Sequence, residues 1–174
     1  MFLVTDIEFS WDARKAQANA LKHGISFSLS TTIFRDSLAL TIYDAEHSAD
    51  EERWITIGKA QNGQYLVVAH TCDQTLSSIT RMRIISARVA DKGEIRAYEI
   101  TPWQIREEQL MKDHYDFSKG VRGKFYKPDA KYHLPVYLDQ EVESQLVAQA
   151  EAKGIELSEL VNELLRKELK TGTD

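Results

Sequence analysis

From residue 38 onward the sequence changes period. LALTIY (38–43), RWITIGK (53–59), QYLVVAHT (64–71) and TRMRIISARV (80–89) are rich in β-branched and aromatic residues, and turn-forming residues separate them. Asn62-Gly63 falls between the second and third segments and predicts a hairpin turn. Such a run predicts antiparallel strands. Ahead of it, FLVTDIEFS suits a strand. Asp12 then N-caps a predicted helix that Gly24 stops, with Ala16, Ala20 and Leu21 as its expected apolar stripe. SFSLSTTIFRD (26–36) predicts a shorter second helix. DKGEIRAYE (91–99) predicts a closing helix, weakened by Gly93. The first hundred or so residues therefore predict an α+β domain.

The second half has a different character. ITPWQIREEQL (100–110) carries a break at Pro102 and a short helix behind it. The arm that follows is loop-like, and between Lys112 and Lys131 it holds six Lys/Arg against three Asp. It also holds Tyr115, Phe117, Phe125, Tyr126 and Tyr132. A Gly/Ser spacer would contain none of these, and aromatic side chains along an arm need a surface to cover them. The acidic loop at Asp44, Glu46, Asp50, Glu51 and Glu52 has the complementary sign. Leu134, Val136 and Leu138 then alternate as one strand face. A helix capped by Asp139 and stopped by Gly154 carries Val142, Leu146, Val147 and Ala150. A second, capped by Ser158, carries Leu160, Val161, Leu164, Leu165 and Leu169. A unit this small cannot bury a sufficient core alone, so residues 133–169 predict a homodimer or higher assembly. The outward strand positions would be His133, Pro135 and Tyr137.

Composition sets the outer bounds. A hydrophobic content of 43% is that of a globular chain, and the net charge of −5 points to no overall nucleic-acid binder. The single Cys72 excludes an internal disulfide and fits a reducing compartment. No signal peptide and no membrane-spanning run is present, so a cytoplasmic protein is expected.

Two family resemblances run in series. FSWDARKAQANALKHGISF, HSADEERWITIG and RIISARVA…YE resemble the BrnT-type toxins, small ribonucleases with a RelE-like fold. MKDHYDFSKGVRGKFYKPDAKYHLPVYLD followed by LVNELLRKEL resembles the BrnA-type antitoxins, whose fold is ribbon–helix–helix. Met111 sits where a free-standing antitoxin would begin. The resemblances imply a toxin domain at 1–99, a connection at 100–110, an antitoxin arm at 111–132 and a ribbon–helix–helix domain at 133–174. They also imply an RNA substrate, operator DNA as a second partner, and an intact chain in which the antitoxin part inhibits the toxin. The alternative is a non-enzymatic autorepressor in which the toxin fold only mediates interactions.

Metal-independent RNA cleavage needs a base for the 2′-hydroxyl, an acid for the leaving oxygen, and cations for the phosphate. The candidates are Lys22 and His23, which the resemblance places in a family motif, together with His47, Arg53, Arg83 and Arg88. Each also has an ordinary structural reading. Lys-His before Gly suits a helix C-terminus, and arginines flanking IISA suit a solvated sheet face. The acidic loop matches no calcium pattern and Cys72 has no zinc partner, so neither metal nor cofactor is expected. The candidate DNA contacts are His133, Tyr137 and Ser158. The candidate toxin–antitoxin contacts are Tyr115, Phe117, Phe125 and Tyr126. Asp91, Gly93 and Glu94 depart from the family's more basic last helix, which implies reduced RNA affinity.

Overall fold

The computed structural model describes residues 6–48, 51–73, 79–100 and 115–171. The start of the first predicted strand, Asp50, the segment 101–110 with its predicted short helix, and Met111 lie outside the described residues. The chain divides into two compact units, Met1–Pro135 and Val136–Asp174.

The first unit opens with strand β1 (Asp6–Ser10) and helix α1 (Ala13–His23). The Asp12 side chain accepts from the Lys15 amide, and Gly24 ends the helix with φ of 67°. Helix α2 (Phe27–Ser30) runs on into a 3-10 turn (Thr31–Arg35), because its Ser and Thr hydroxyls bond back to carbonyls three residues earlier. Strands β2 (Leu40–Tyr43), β3 (Arg53–Lys59), β4 (Tyr65–Asp73) and β5 (Ile79–Val89) follow, and β3 and β4 join through Gly63 at φ 86°. Helix α3 (Lys92–Glu99) closes the toxin-like part. Its start is firm despite Gly93, since Asp91 and Glu94 form a capping box. Two short strands come from the arm: β6 (Val121–Arg122) and β7 (Lys131–His133).

Among the described residues the sheet has seven strands in the order β6-β2-β3-β4-β5-β1-β7. It is not purely antiparallel, as the sequence predicts. β1 runs parallel to β5, and β7 runs parallel to β1. The helical connection α1–α2 between β1 and the meander allows this, because a parallel pair needs a long crossover.

Each sheet face carries its own core. One holds Ile7, Phe9, Phe34, Leu66, Val68, Met82 and Phe125. The other holds Leu40, Ile55, Ile57, Val67, Tyr98 and Phe117. The α1 stripe is a correction: Leu21 is 84% exposed and Ala20 is exposed, whereas Asn19 is buried. The Asn19 amide donates to the Ile25 and Ala87 carbonyls, and its oxygen accepts from the Ala87 amide. A polar clamp to β5 therefore sets which side of α1 faces in.

The arm belongs to this first unit and touches both cores. Phe117 is buried on the α3 face. β6 then pairs with β2, and the Arg122 guanidinium donates to the carbonyls of Leu38, Tyr98 and Ile100. Phe125 is buried on the other face, edge-on to Trp54 and His70, and Lys124 lies 4.3 Å over the Trp54 ring. Tyr132 packs against Phe9, and β7 covers the β1 edge.

Residues 134–139 are not in a strand, and the strand just before them pairs with β1. Helix α4 (Gln140–Lys153) ends at Gly154 with φ of 66°, and helix α5 is Leu157–Thr171. Ser158 is therefore inside the first turn of α5 and does not cap it. Ala150 and Leu160 are buried, while Val142, Val147, Leu164, Leu165 and Leu169 are exposed. Among the described residues no helix is long and apolar enough to cross a membrane.

Candidate active site

Three arginines converge on the α3 face of the sheet. Arg53 and Arg83 both sit opposite Thr71, from the two strands flanking β4. Arg88 is five residues beyond Arg83, which simple alternation would place on the opposite face. A register shift at Ala69/His70 adds a residue on β5, so Arg88 pairs with Val67 and returns to the face of Arg83. Nothing in the IISA composition announces that bulge.

The acidic loop spends its charge on this cluster. Glu51 bonds Arg83, and its other oxygen lies 3.3 Å from Arg53. The Arg83 hydrogen bond, reinforced by the charges of both guanidiniums, holds the Glu51 carboxyl below its usual range despite partial desolvation. Asp44 accepts from His47 Nδ1 at 2.9 Å, which orients the ring. Ser48 ties the loop to the strand: its hydroxyl donates to the Asp44 carbonyl and accepts from the Arg53 amide. Among the described residues no ion pair links this loop to the arm's cations, and Glu51 pairs with two arginines of its own half.

Arg88 makes a two-pronged pair with Glu94 at 2.7 and 2.8 Å, and Glu94 is buried. The Glu94 carboxylate fixes Arg88 and would compete with a phosphate for two of its N–H groups. Lys22 is exposed and His23 half-buried at the end of α1. Asn19 ties α1 to Ala87, the neighbour of Arg88, so the turn bearing Lys22 and His23 lies at that end of β5. No described hydrogen bond or ion pair joins either of them to the arginines.

The arm's first aromatics lie on this same face. Arg88 sits 5.8 Å from the centre of the Tyr115 ring, and Tyr115 packs on Phe117. Burial pushes the Tyr115 phenol up, and the nearby Asp44 carboxylate adds to this. The remaining arm candidate, Tyr126, is half-buried on the far face. Of the candidate DNA contacts, His133 pairs with Asp6 at 3.4 Å, while Tyr137 and Ser158 are exposed. Among the described residues no group of three His, Cys, Asp or Glu could hold a metal ion.

A guanidinium cluster can bind a phosphate, and an oriented imidazole can exchange a proton. Residues 11–94 match the family described as "Ribonuclease toxin, BrnT, of type II toxin-antitoxin system". That segment, just under half of the chain, is similar to that family, and it contains every candidate catalytic residue. The chain is also similar to the ribonuclease toxin BrnT of Brucella abortus, known from a crystal structure at 1.1 Å resolution. The identity is 23%, the coverage 49% of this chain and 99% of that one, and the TM-score 0.35. No curated protein matches the chain.

Proposed function

We propose that the chain is a toxin–antitoxin fusion: an endoribonuclease whose own C-terminal half holds it inhibited. Arg53 and Arg83 would clamp the scissile phosphate once it displaces Glu51. His47, set by Asp44, would exchange the proton, and Arg88 with Lys22 and His23 would hold the flanking strand. The 2′-hydroxyl of the substrate would be the nucleophile, which restricts the site to RNA. The observation that carries this reading is the position of Tyr115 and Phe117, which occupy the arginine face where RNA would lie. The exposed valines of α4 and leucines of α5 support assembly with a second copy, and in that assembly the α4–α5 units would bind operator DNA.

The test compares RNA degradation by the intact chain, by residues 1–99, and by residues 1–99 carrying Arg83→Ala. The intact chain should be silent and the truncated one active. Arg83→Ala should lower the rate about 100–1,000-fold, as loss of a transition-state donor does. Full activity in the intact chain would overturn the inhibition. A silent but folded 1–99 fragment would favour the autorepressor.

A further inference from the structure

The far side of the sheet carries a second cluster of cations, and its circumstances differ. Arg53, Arg81, Arg83 and Arg88 all face carboxylates. Arg35, Lys127 and Lys131 do not: among the described residues none of the three is in an ion pair. They line one cavity of about 460 Å³, together with Tyr126 and Tyr132. That volume is in the range of small-ligand pockets, roughly 300–1,000 Å³. Asp129 does not line it.

The Arg35 guanidinium stacks 4.5 Å from the centre of the Tyr132 ring. Stacking fixes the plane of the fork while leaving its N–H donors free. The Tyr132 hydroxyl is buried without a protein partner, and burial pushes the phenol up to about 12, so it stays a donor. Three unneutralised cations around one concavity repel each other unless an anion joins them. Arginine and lysine together suit the several oxygens of a phosphate. The phenol walls add a surface for a flat ring. A bare carboxylate would use only the first of these features.

We propose that the cavity between Arg35 and arm residues 126–132 binds a phosphate-bearing nucleotide, its phosphate on Arg35, Lys127 and Lys131 and its base on Tyr126. Arg35 comes from the toxin half and the other walls from the arm, so the site exists only while the arm is docked. By linkage, an occupant stabilises the docked state. The nucleotide would thus strengthen the contact on which the inhibited-ribonuclease reading rests, although the site itself lies on the opposite sheet face and does not depend on cleavage. The same chemistry is offered by a free mononucleotide and by the phosphorylated end of an RNA strand.

The experiment is calorimetric titration of the full chain with adenosine 5′-monophosphate, adenosine, inorganic phosphate, and a 5′-phosphorylated RNA pentamer with 2′-O-methyl riboses. Adenosine 5′-monophosphate should bind and slow amide exchange at residues 131–133. Adenosine should bind about tenfold more weakly or worse, and so should the monophosphate to Lys127→Gln with Lys131→Gln. Arg35→Gln alone gives a second reading should the double variant fold poorly. A pentamer tighter than the mononucleotide assigns the site to RNA ends; the reverse assigns it to free nucleotide. Inorganic phosphate should bind, but more weakly than the mononucleotide. No binding of the mononucleotide, or undiminished binding to the folded variants, overturns the proposal. Arg83→Ala should bind normally. If that variant alone loses binding, the ligand sits on the arginine cluster: the proposal falls and the ribonuclease reading stands.

Discussion

Phe117→Ala should switch on cleavage in the intact chain. Phe117 is 2% exposed and packs in the core that contains Leu40, Ile55, Ile57 and Val67. Truncating a buried Phe to Ala costs about 3–5 kcal/mol. The lower end applies here, because Phe117 lies at an arm that can relax. At about 1.4 kcal/mol per tenfold, a loss of about 3 kcal/mol raises the open fraction by roughly 100-fold. The toxin half keeps all of its own strands, and the arm's hold on the β2 edge is only the two pairs Leu40–Arg122 and Thr41–Val121. The loss should therefore appear as local opening. Two readouts are needed: amide exchange at residues 121–122 and RNA cleavage. Both should rise by about the same factor until the open state dominates, and Phe117→Leu should give a much smaller rise. Exchange that accelerates about 100-fold while cleavage stays at zero would falsify steric inhibition, because the arm would then be open over an inert face.

Asn19→Ala should destabilise the fold by about 3 kcal/mol or more, since it leaves the Ala87 amide and two carbonyls unsatisfied; Leu21→Ala should stay within roughly 0.5 kcal/mol, and thermal unfolding of the pair checks both. His70 is buried between Phe34 and Phe125, and desolvation lowers its titration to about 4. The unfolded chain titrates near 6.5, so unfolding takes up a proton between these values. Stability should fall by about 3 kcal/mol as pH drops from 6.5 to 4, and urea unfolding of His70→Gln should lack that share. Leu164→Glu with Leu165→Glu should reduce the mass seen by light scattering if the α5 face pairs with a second copy; an unchanged assembly would remove that role.

The elements that local chemistry specifies were readable in advance. Asp12, Gly24, Asn62-Gly63 and Gly154 each impose a cap or turn that no distant contact revises, whereas Asp139 precedes α4 without a side-chain capping hydrogen bond. What stayed hidden depends on pairing between segments far apart. β1 reads as a strand, but nothing in DIEFS shows that both of its neighbours run parallel to it. Asn19 looks like a solvated helix residue until Ala87 arrives from 68 positions away. Arg83 and Arg88 could be named from their chemistry, yet only the β5 bulge puts them on one face. His47 was visible as a loop histidine, whereas its fixation by Asp44 was not. Arg35 was missed altogether, because its meaning lies in the arm residues that surround it.

The arm's route also explains its composition. A sheet ending at β2 and β1 would present two rows of unpaired backbone groups, and such edges recruit other strands. β6 covers one edge and β7 the other. Strands of two and three residues suffice, because they need only occupy the edge while the side chains between them supply the adhesion. Gly120 sits where a Cβ would meet the Leu40 side chain at 2.6 Å, so the chain can lie flat against β2 only with glycine there. Arg122 spends its donors on three carbonyls, which leaves Phe117 and Phe125 to grip the two faces. An arm that grips both faces and both edges resists removal more than one lying on a single face, since no single contact releases it. Salt alone should free it poorly, because its anchors are apolar and Arg122 binds carbonyls and, among the described residues, no carboxylate.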